Sequence, residues 1–152
     1  MRIGLISDTH GLVRPEALRF LAGSDAIVHA GDIGNAGVLQ ALGQLAPLHA
    51  IRGNNDSAGW AQDIPDTLAI ELAGVRIFVL HDLKTMGKWP PPAGTQVVVC
   101  GHSHKPVVQT HAAGFLVVNP GSAGPRRFKL PVSAAELVAD GPGRFQARWV
   151  AL

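Results

Sequence analysis

The chain has 152 residues, 47% apolar and 16% charged, with a formal net charge of +2; this suits one folded domain over 1–152 and excludes a disordered chain. No apolar run approaches the roughly 20 residues needed to span a bilayer, and the short apolar start of MRIGLISDTH is not that of a signal peptide. Lys and Arg are scattered apart from Arg126-Arg127, so nucleic acid is not an expected partner, and a lone cysteine, Cys100, excludes an internal disulfide framework and fits a reducing cytoplasm.

Residues 2–7, RIGLIS, form an apolar run ending at Asp8 and predict a buried strand. Pro15 opens a segment with apolar residues at helical spacing, and Gly23 stops it. A second buried run, AIVHA at 26–30, ends in Gly31-Asp32. Residues 36–46 read as a helix weakened by two glycines. LHAIR at 48–52 predicts a third strand, ending in Gly53-Asn54-Asn55-Asp56. Strand–loop–helix repeated in this way implies a parallel sheet covered by helices. The remainder changes character. LAIELA, Gly74 and VRIFVL predict a hairpin ending at His81-Asp82. VVVC at 97–100 leads into Gly101-His102-Ser103-His104. PVVQTH and FLVVN flank a turn at Ala113-Gly114, and PVSAAELVA and RFQARWVA flank Asp140-Gly141. Between them, KWPPPAG at 88–94 carries three prolines that exclude a regular helix. The expected class is α/β, with two packed sheets and helices outside.

Five successive strands therefore end in carboxylate, imidazole or carboxamide groups, and ligand sites in α/β sheets gather at the carboxyl ends of the strands. Residues i and i+2 of an extended segment share a side, which pairs Asp8 with His10 and His102 with His104. Gly31, Gly53 and Gly101 allow close approach of backbone. The collected donors are Asp8, Asp32, the Asn54 oxygen, His10, His81, His102 and His104. Nitrogen and oxygen without thiolate suit Mn, Fe, Zn or Ni better than Mg or Ca. Seven donors exceed one tetrahedral ion and suit two ions sharing a ligand, with a short Asp as the natural bridge. Two divalent ions outweigh two aspartates, so the cavity would attract an anion such as phosphate. Such ions, about 3.5–4 Å apart, can generate hydroxide from water and clamp both oxygens of a displacement.

The series D-x-H, G-D, G-N-x-D, H and G-H-x-H over residues 8–104, extended by Asn119-Pro120-Gly121-Ser122, resembles the calcineurin-like metallophosphoesterase superfamily, in particular its short prokaryotic phosphodiesterase branch; the retromer scaffold subunit looks similar too. The resemblance implies a four-layer α/β/β/α sandwich of two mixed sheets flanked by helices. It also implies one metal held by Asp8, His10, Asp32 and His104, with Asp32 bridging to a second held by Asn54, His81 and His102. The expected ions are two divalent transition metals, Mn favoured, and a bridging hydroxide would attack phosphorus in line. The expected substrate is a phosphoester, either a small molecule or a nucleotide. Asp32, Asn54, Asn55 and Asp56 are expected to serve catalysis, Asp56 through a supporting hydrogen bond.

The chain departs from the pattern at Asn55, where many members carry a His placed to protonate the leaving oxygen. Neutral Asn cannot do this at pH 7, and losing a general acid removes roughly 10²–10⁴-fold of rate. Activated aryl phosphodiesters are then the expected substrates in vitro, with weak turnover of alkyl phosphomonoesters. A phosphomonoesterase or nucleotide hydrolase using the same metals, and a non-catalytic interaction scaffold, are the competing readings. Asp82 is expected either to orient His81 or to face solvent. His29, His49 and His111 match no motif and read as structural or surface residues, Cys100 as core, and Arg126-Arg127 as a solvated pair. The strands near the C-terminus offer an edge that would suit a homodimer.

Overall fold

Alternation along the first strand sets the layering. In β1 (Arg2–Ile6), Ile3 and Leu5 point into one core, while Gly4 and Ile6 face a second. The computed structural model describes residues 1–152. Beside β1 lie β2 (Ala26–His29) and β3 (Leu48–Ala50) in parallel register, with Ile6 opposite His29 and His29 opposite Ala50. On the other side β9 (Ser133–Ala139) and β10 (Phe145–Ala151) run antiparallel, giving a five-stranded sheet in the order β10-β9-β1-β2-β3. The second sheet comprises β4 (Thr67–Leu72), β5 (Val75–Leu80), β6 (Val97–Val99), β7 (Val107–Thr110) and β8 (Leu116–Asn119). Its order is β4-β5-β6-β8-β7, with β5, β6 and β8 parallel and the edge strands antiparallel. Fourteen buried residues fill the space between the sheets, among them Leu5, Val28, Ile77, Val99, Val118 and Leu137.

The two α-helices, α1 (Pro15–Leu21) and α2 (Ala36–Gly43), cover the outer face of the first sheet, packing Ala17, Leu21, Val38 and Leu42 on Ile6 and Ile27. Asn35 caps α2 by accepting from the Val38 N–H at 3.2 Å. The outer face of the second sheet is covered thinly. Phe78, Val98, Phe115 and Val117 are shielded by Leu83 and Met86 of a 3₁₀ helix (Leu83–Gly87) and by Trp89. The prolines that follow cannot extend that helix, since they lack the N–H donor. The sandwich therefore has its four layers, the last reduced to little more than one turn. No helix is long and apolar enough to cross a membrane. Strand β3 is shorter than the run LHAIR predicts, because the Arg52 N–H leaves the ladder for the Pro65 carbonyl at 2.8 Å.

Candidate metal centre

Six parallel strands, three in each sheet, point their carboxyl ends at one edge of the sandwich, and the loops that leave them bring the expected donors together. These loops bend sharply. Seven non-glycine residues have positive φ, and five of them are Asp8, His10, Asp32, His102 and His104, at 46–70°. Left-handed backbone is disfavoured by about 1–2 kcal/mol per L-residue; here it re-aims each side chain from the strand direction into the crevice. Gly31, at φ +99°, leaves room for the contact: a Cβ there would stand 2.6 Å from His81 Nδ1 and 2.8 Å from the Gly53 nitrogen.

The centre is built around two buried carboxylates. Asp8 Oδ1 lies 3.4 Å from His104 Nε2, 3.8 Å from His10 Nε2 and 3.9 Å from His81 Nε2. Asp32 Oδ2 lies 3.3 Å from His81 Nε2 and 3.8 Å from His10 Nε2. His10 and His104 bring their Nε2 atoms to 3.4 Å. Two clusters result, Asp8–His10–His104 and Asp8–Asp32–His81. At the solvent side, His102 Nδ1 is 3.3 Å from Asn54 Oδ1, and its ring meets His81 edge-on at 5.2 Å. Asp8, Asp32, His81 and His104 are buried, His10 is half-buried, and Asn54, Asn55 and His102 are exposed. All seven expected donors thus border one crevice.

Hydrogen bonds fix how these groups present themselves. His81 Nδ1–H donates to the Ala30 carbonyl at 2.7 Å, which turns the Nε2 lone pair toward the carboxylates. Asp8 Oδ2 accepts from the Ser7 hydroxyl at 2.8 Å and the His102 N–H at 3.1 Å, leaving Oδ1 to the imidazoles. Burial would push the Asp32 carboxyl up, but the His81 imidazole 3.3 Å away and two hydrogen bonds from Asn55 outweigh it and hold the group well below the usual carboxylate range. Burial likewise opposes charge on His81, yet Asp32 and Asp8 raise its pKa. Burial, with the negative charge of Asp8 and Asp82, pushes the Cys100 thiol up to about 12, and the residue packs in the Phe78–Phe115 cluster, outside the two donor clusters.

A family model for the calcineurin-like phosphoesterase superfamily domain matches residues 1–140. The chain belongs to that superfamily. Among similar proteins, a probable metallophosphoesterase of Methanocaldococcus jannaschii is 31% identical over 138 residues, covering 80% of this chain and 68% of that protein. An archaeal phosphodiesterase of known structure has the same fold, with TM-score 0.82, 24% identity and complete coverage of both chains. So does Vps29 from Entamoeba histolytica in complex with Zn²⁺, with TM-score 0.76, 18% identity and 99% coverage of each.

A metallophosphoesterase uses divalent metal ions, and the donor set of this phosphoesterase fits them. Asp8 Oδ1 and His81 Nε2 are buried with no hydrogen-bond partner, as is His104 Nδ1. Orphaned buried polar atoms are costly. Donors about 2.0–2.2 Å from one ion stand about 3–3.5 Å apart; of the separations around Asp8 Oδ1, that to His104 Nε2, 3.4 Å, falls in this range, and those to His10 and His81, 3.8 and 3.9 Å, lie slightly beyond it.

Several supporting residues lie outside the expected set. His29 is fully buried in β2, where its Nδ1 accepts from the Gly31 N–H at 3.1 Å and its Nε2 lies 2.9 Å from the Thr9 hydroxyl. Thr9 donates to the Ile33 carbonyl at 2.8 Å, so His29 is neutral with its proton on Nε2. It is structural, as expected, and it ties the Asp8–His10 loop to the Asp32 loop. Asp56 accepts from three backbone N–H groups, of Ile33, Gly34 and Gly53, at 2.8–3.1 Å, and so braces the Asp32 loop. Asn119 donates to the Gly101 carbonyl at 3.0 Å, and Ser122 to the Asp8 carbonyl at 3.1 Å, which gives the Asn119–Ser122 segment its role as an anchor. Asp82 does not orient His81: its Oδ2 is 3.7 Å from His102 Nε2, and it caps the 3₁₀ helix by accepting from the Lys84 N–H. Arg126 and Arg127 are exposed.

Proposed function

We propose that the protein is a two-metal phosphodiesterase in which Asp8, His10, Asp32 and His104 hold one ion, and Asp32, Asn54, His81 and His102 hold the other. The observation that carries this reading is the position of Asp32 Oδ2, 3.8 Å from an imidazole of the first set, His10, and 3.3 Å from one of the second, His81. Manganese is favoured, with Fe, Zn or Ni as alternatives for this nitrogen and oxygen donor set. When bound, the ions supply the positive charge that draws in the phosphate and lowers the pKa of a water for attack on phosphorus. The rest is done by the chain. Asn55 favours the ionised form of Asp32 by donating to both of its oxygens. His81 is held in the ligating tautomer by Ala30, and His29 and Asp56 keep the loops in register. Asn55 places no acid beside the departing oxygen, so stable leaving groups such as aryl oxides are favoured. The substrate is accordingly a small-molecule or nucleotide phosphodiester, and the single buried cysteine fits a cytoplasmic setting.

The test is direct. Protein stripped of metal and refilled with Mn²⁺ is assayed on bis-p-nitrophenyl phosphate beside His104→Ala, with ion content measured by plasma emission. The expected result is about two ions per chain and turnover lost by the variant; turnover no higher than the variant's overturns the reading. A second reading, an interaction scaffold, is favoured by the likeness to Vps29 and by the thin outer layer of the second sheet. Metal content alone does not separate the two, since that Vps29 itself is described with zinc; turnover does.

A further inference from the structure

Beside the His81 half of the centre opens a cleft of about 240 Å³, walled by Arg52, Asp66, Thr85 and Trp89. The one guanidinium in its wall is paired. Arg52 Nη2 lies 3.1 Å from Asp66 Oδ1, and Asp82 Oδ2 faces His102 Nε2 at 3.7 Å. A second phosphate entering here would meet two carboxylates, Asp66 and Asp82, and in the wall a single guanidinium already paired through Nη2, whose buried Nε lacks a partner. The one apolar residue in the lining is Trp89. Its indole is held in place by packing on the Phe78–Phe115 cluster and by Lys88, whose Nζ stands 4.5 Å from the ring centroid. The volume admits one ring with a short link, well under the usual size of a pocket for a larger ligand.

We propose that this cleft receives a neutral, planar ring borne on one ester arm of the substrate, an aryl or nucleoside group, with Trp89 as its contact surface. The inference rests on the phosphodiesterase reading and narrows it to ring-bearing esters over alkyl esters and polyphosphates. It also assigns a purpose to the proline-rich segment, which ends the 3₁₀ helix so that the indole stands at the cleft and not within a helical layer.

Binding can be measured without turnover. Mn²⁺-loaded protein is titrated calorimetrically with thymidine 5′-monophosphate, phenyl phosphate and methyl phosphate, which share a phosphate and differ in their single ester arm. Wild type should bind the two ring-bearing monoesters more tightly than methyl phosphate. Trp89→Leu, which keeps apolar packing without a flat ring, should weaken both by about tenfold and leave methyl phosphate unchanged, while Trp89→Phe retains most of the affinity. Tighter binding of the thymidine compound than of phenyl phosphate assigns the cleft to nucleosides, and the reverse assigns it to aryl groups. Equal loss for all three ligands, or none for the ring-bearing pair, overturns the proposal. Ring-dependent binding without hydrolysis of any phosphodiester would sink the enzymatic reading and leave the cleft; hydrolysis without dependence on Trp89 would do the opposite.

Discussion

Asn55 grips Asp32 twice: its backbone N–H donates to Oδ1 and its side-chain amide donates to Oδ2, each at 3.0 Å. A residue that departs from the family pattern as a proton donor thus serves as a clamp on the carboxylate at the middle of the centre. Replacing it by Ala removes the bond to Oδ2, the oxygen nearest both His10 and His81. Asn55→Ala should weaken metal binding by about 10–100-fold, the usual effect of losing a partner that orients a ligand. Competition with a chromophoric chelator checks this, and unchanged affinity would show that the backbone bond alone suffices.

Asp8→Asn separates stability from function. In the absence of metal, Asp8 Oδ1 is buried and unpartnered. An amide of the same shape can donate toward an imidazole nitrogen and carries no buried charge. Metal-free Asp8→Asn should unfold in urea with about 1 kcal/mol more stability than metal-free wild type. Wild type should then gain more stability than the variant on adding Mn²⁺, since the variant keeps only the second ion's ligands intact.

Gly31→Ala should be severe. Its φ of +99° and the 2.6 Å approach of a Cβ to His81 Nδ1 combine backbone strain with a clash against the atom that bonds Ala30. A loss of at least about 2 kcal/mol is expected from chemical denaturation. Gly23→Ala, also at positive φ but with nothing near its Cβ, isolates the strain alone.

His29 gives the stability a pH dependence of known sign. Burial lowers its pKa from 6.5 to about 4. The unfolded chain therefore binds a proton that the native state refuses between those values, and stability rises with pH across that window. The contribution is complete above pH 6.5 and lost as pH falls toward 4, amounting at most to roughly 3 kcal/mol. Urea unfolding of wild type and His29→Gln at intervals between pH 7 and 4 should show a shallower slope for the variant; parallel slopes would sink the assignment.

Much of this could be read from the chain because the signals were local. VVVC before Gly101-His102 and RIGLIS before Asp8 announce buried strands whose ends carry chemistry; Asp8 and His10 do meet, though through left-handed bends and not through the extended backbone that a spacing of two presupposes. What could not be read depends on contacts across the sandwich. His29 looks like any polar residue in an apolar strand until Thr9 and Gly31 are seen to bond it. Asp82 follows His81 in sequence, yet the start of the 3₁₀ helix swings its carboxylate to His102. Trp89 sits in a segment without periodicity, so only the cleft reveals its use. The five left-handed donor residues are invisible to helix and strand patterns; Asp and His are enriched at positive φ, but residue type alone does not say which of them adopt it.

Those five residues bear on how such a protein would age over generations. A lineage that ceased to use cations would gain robustness by relaxing almost any of them, to glycine or to an ordinary turn, and selection would have no reason to resist. Decay at these tight bends should therefore come early after cations are abandoned, so a chain that keeps acid and imidazole groups at all five is more economically explained as one that still uses cations than as one that has given them up.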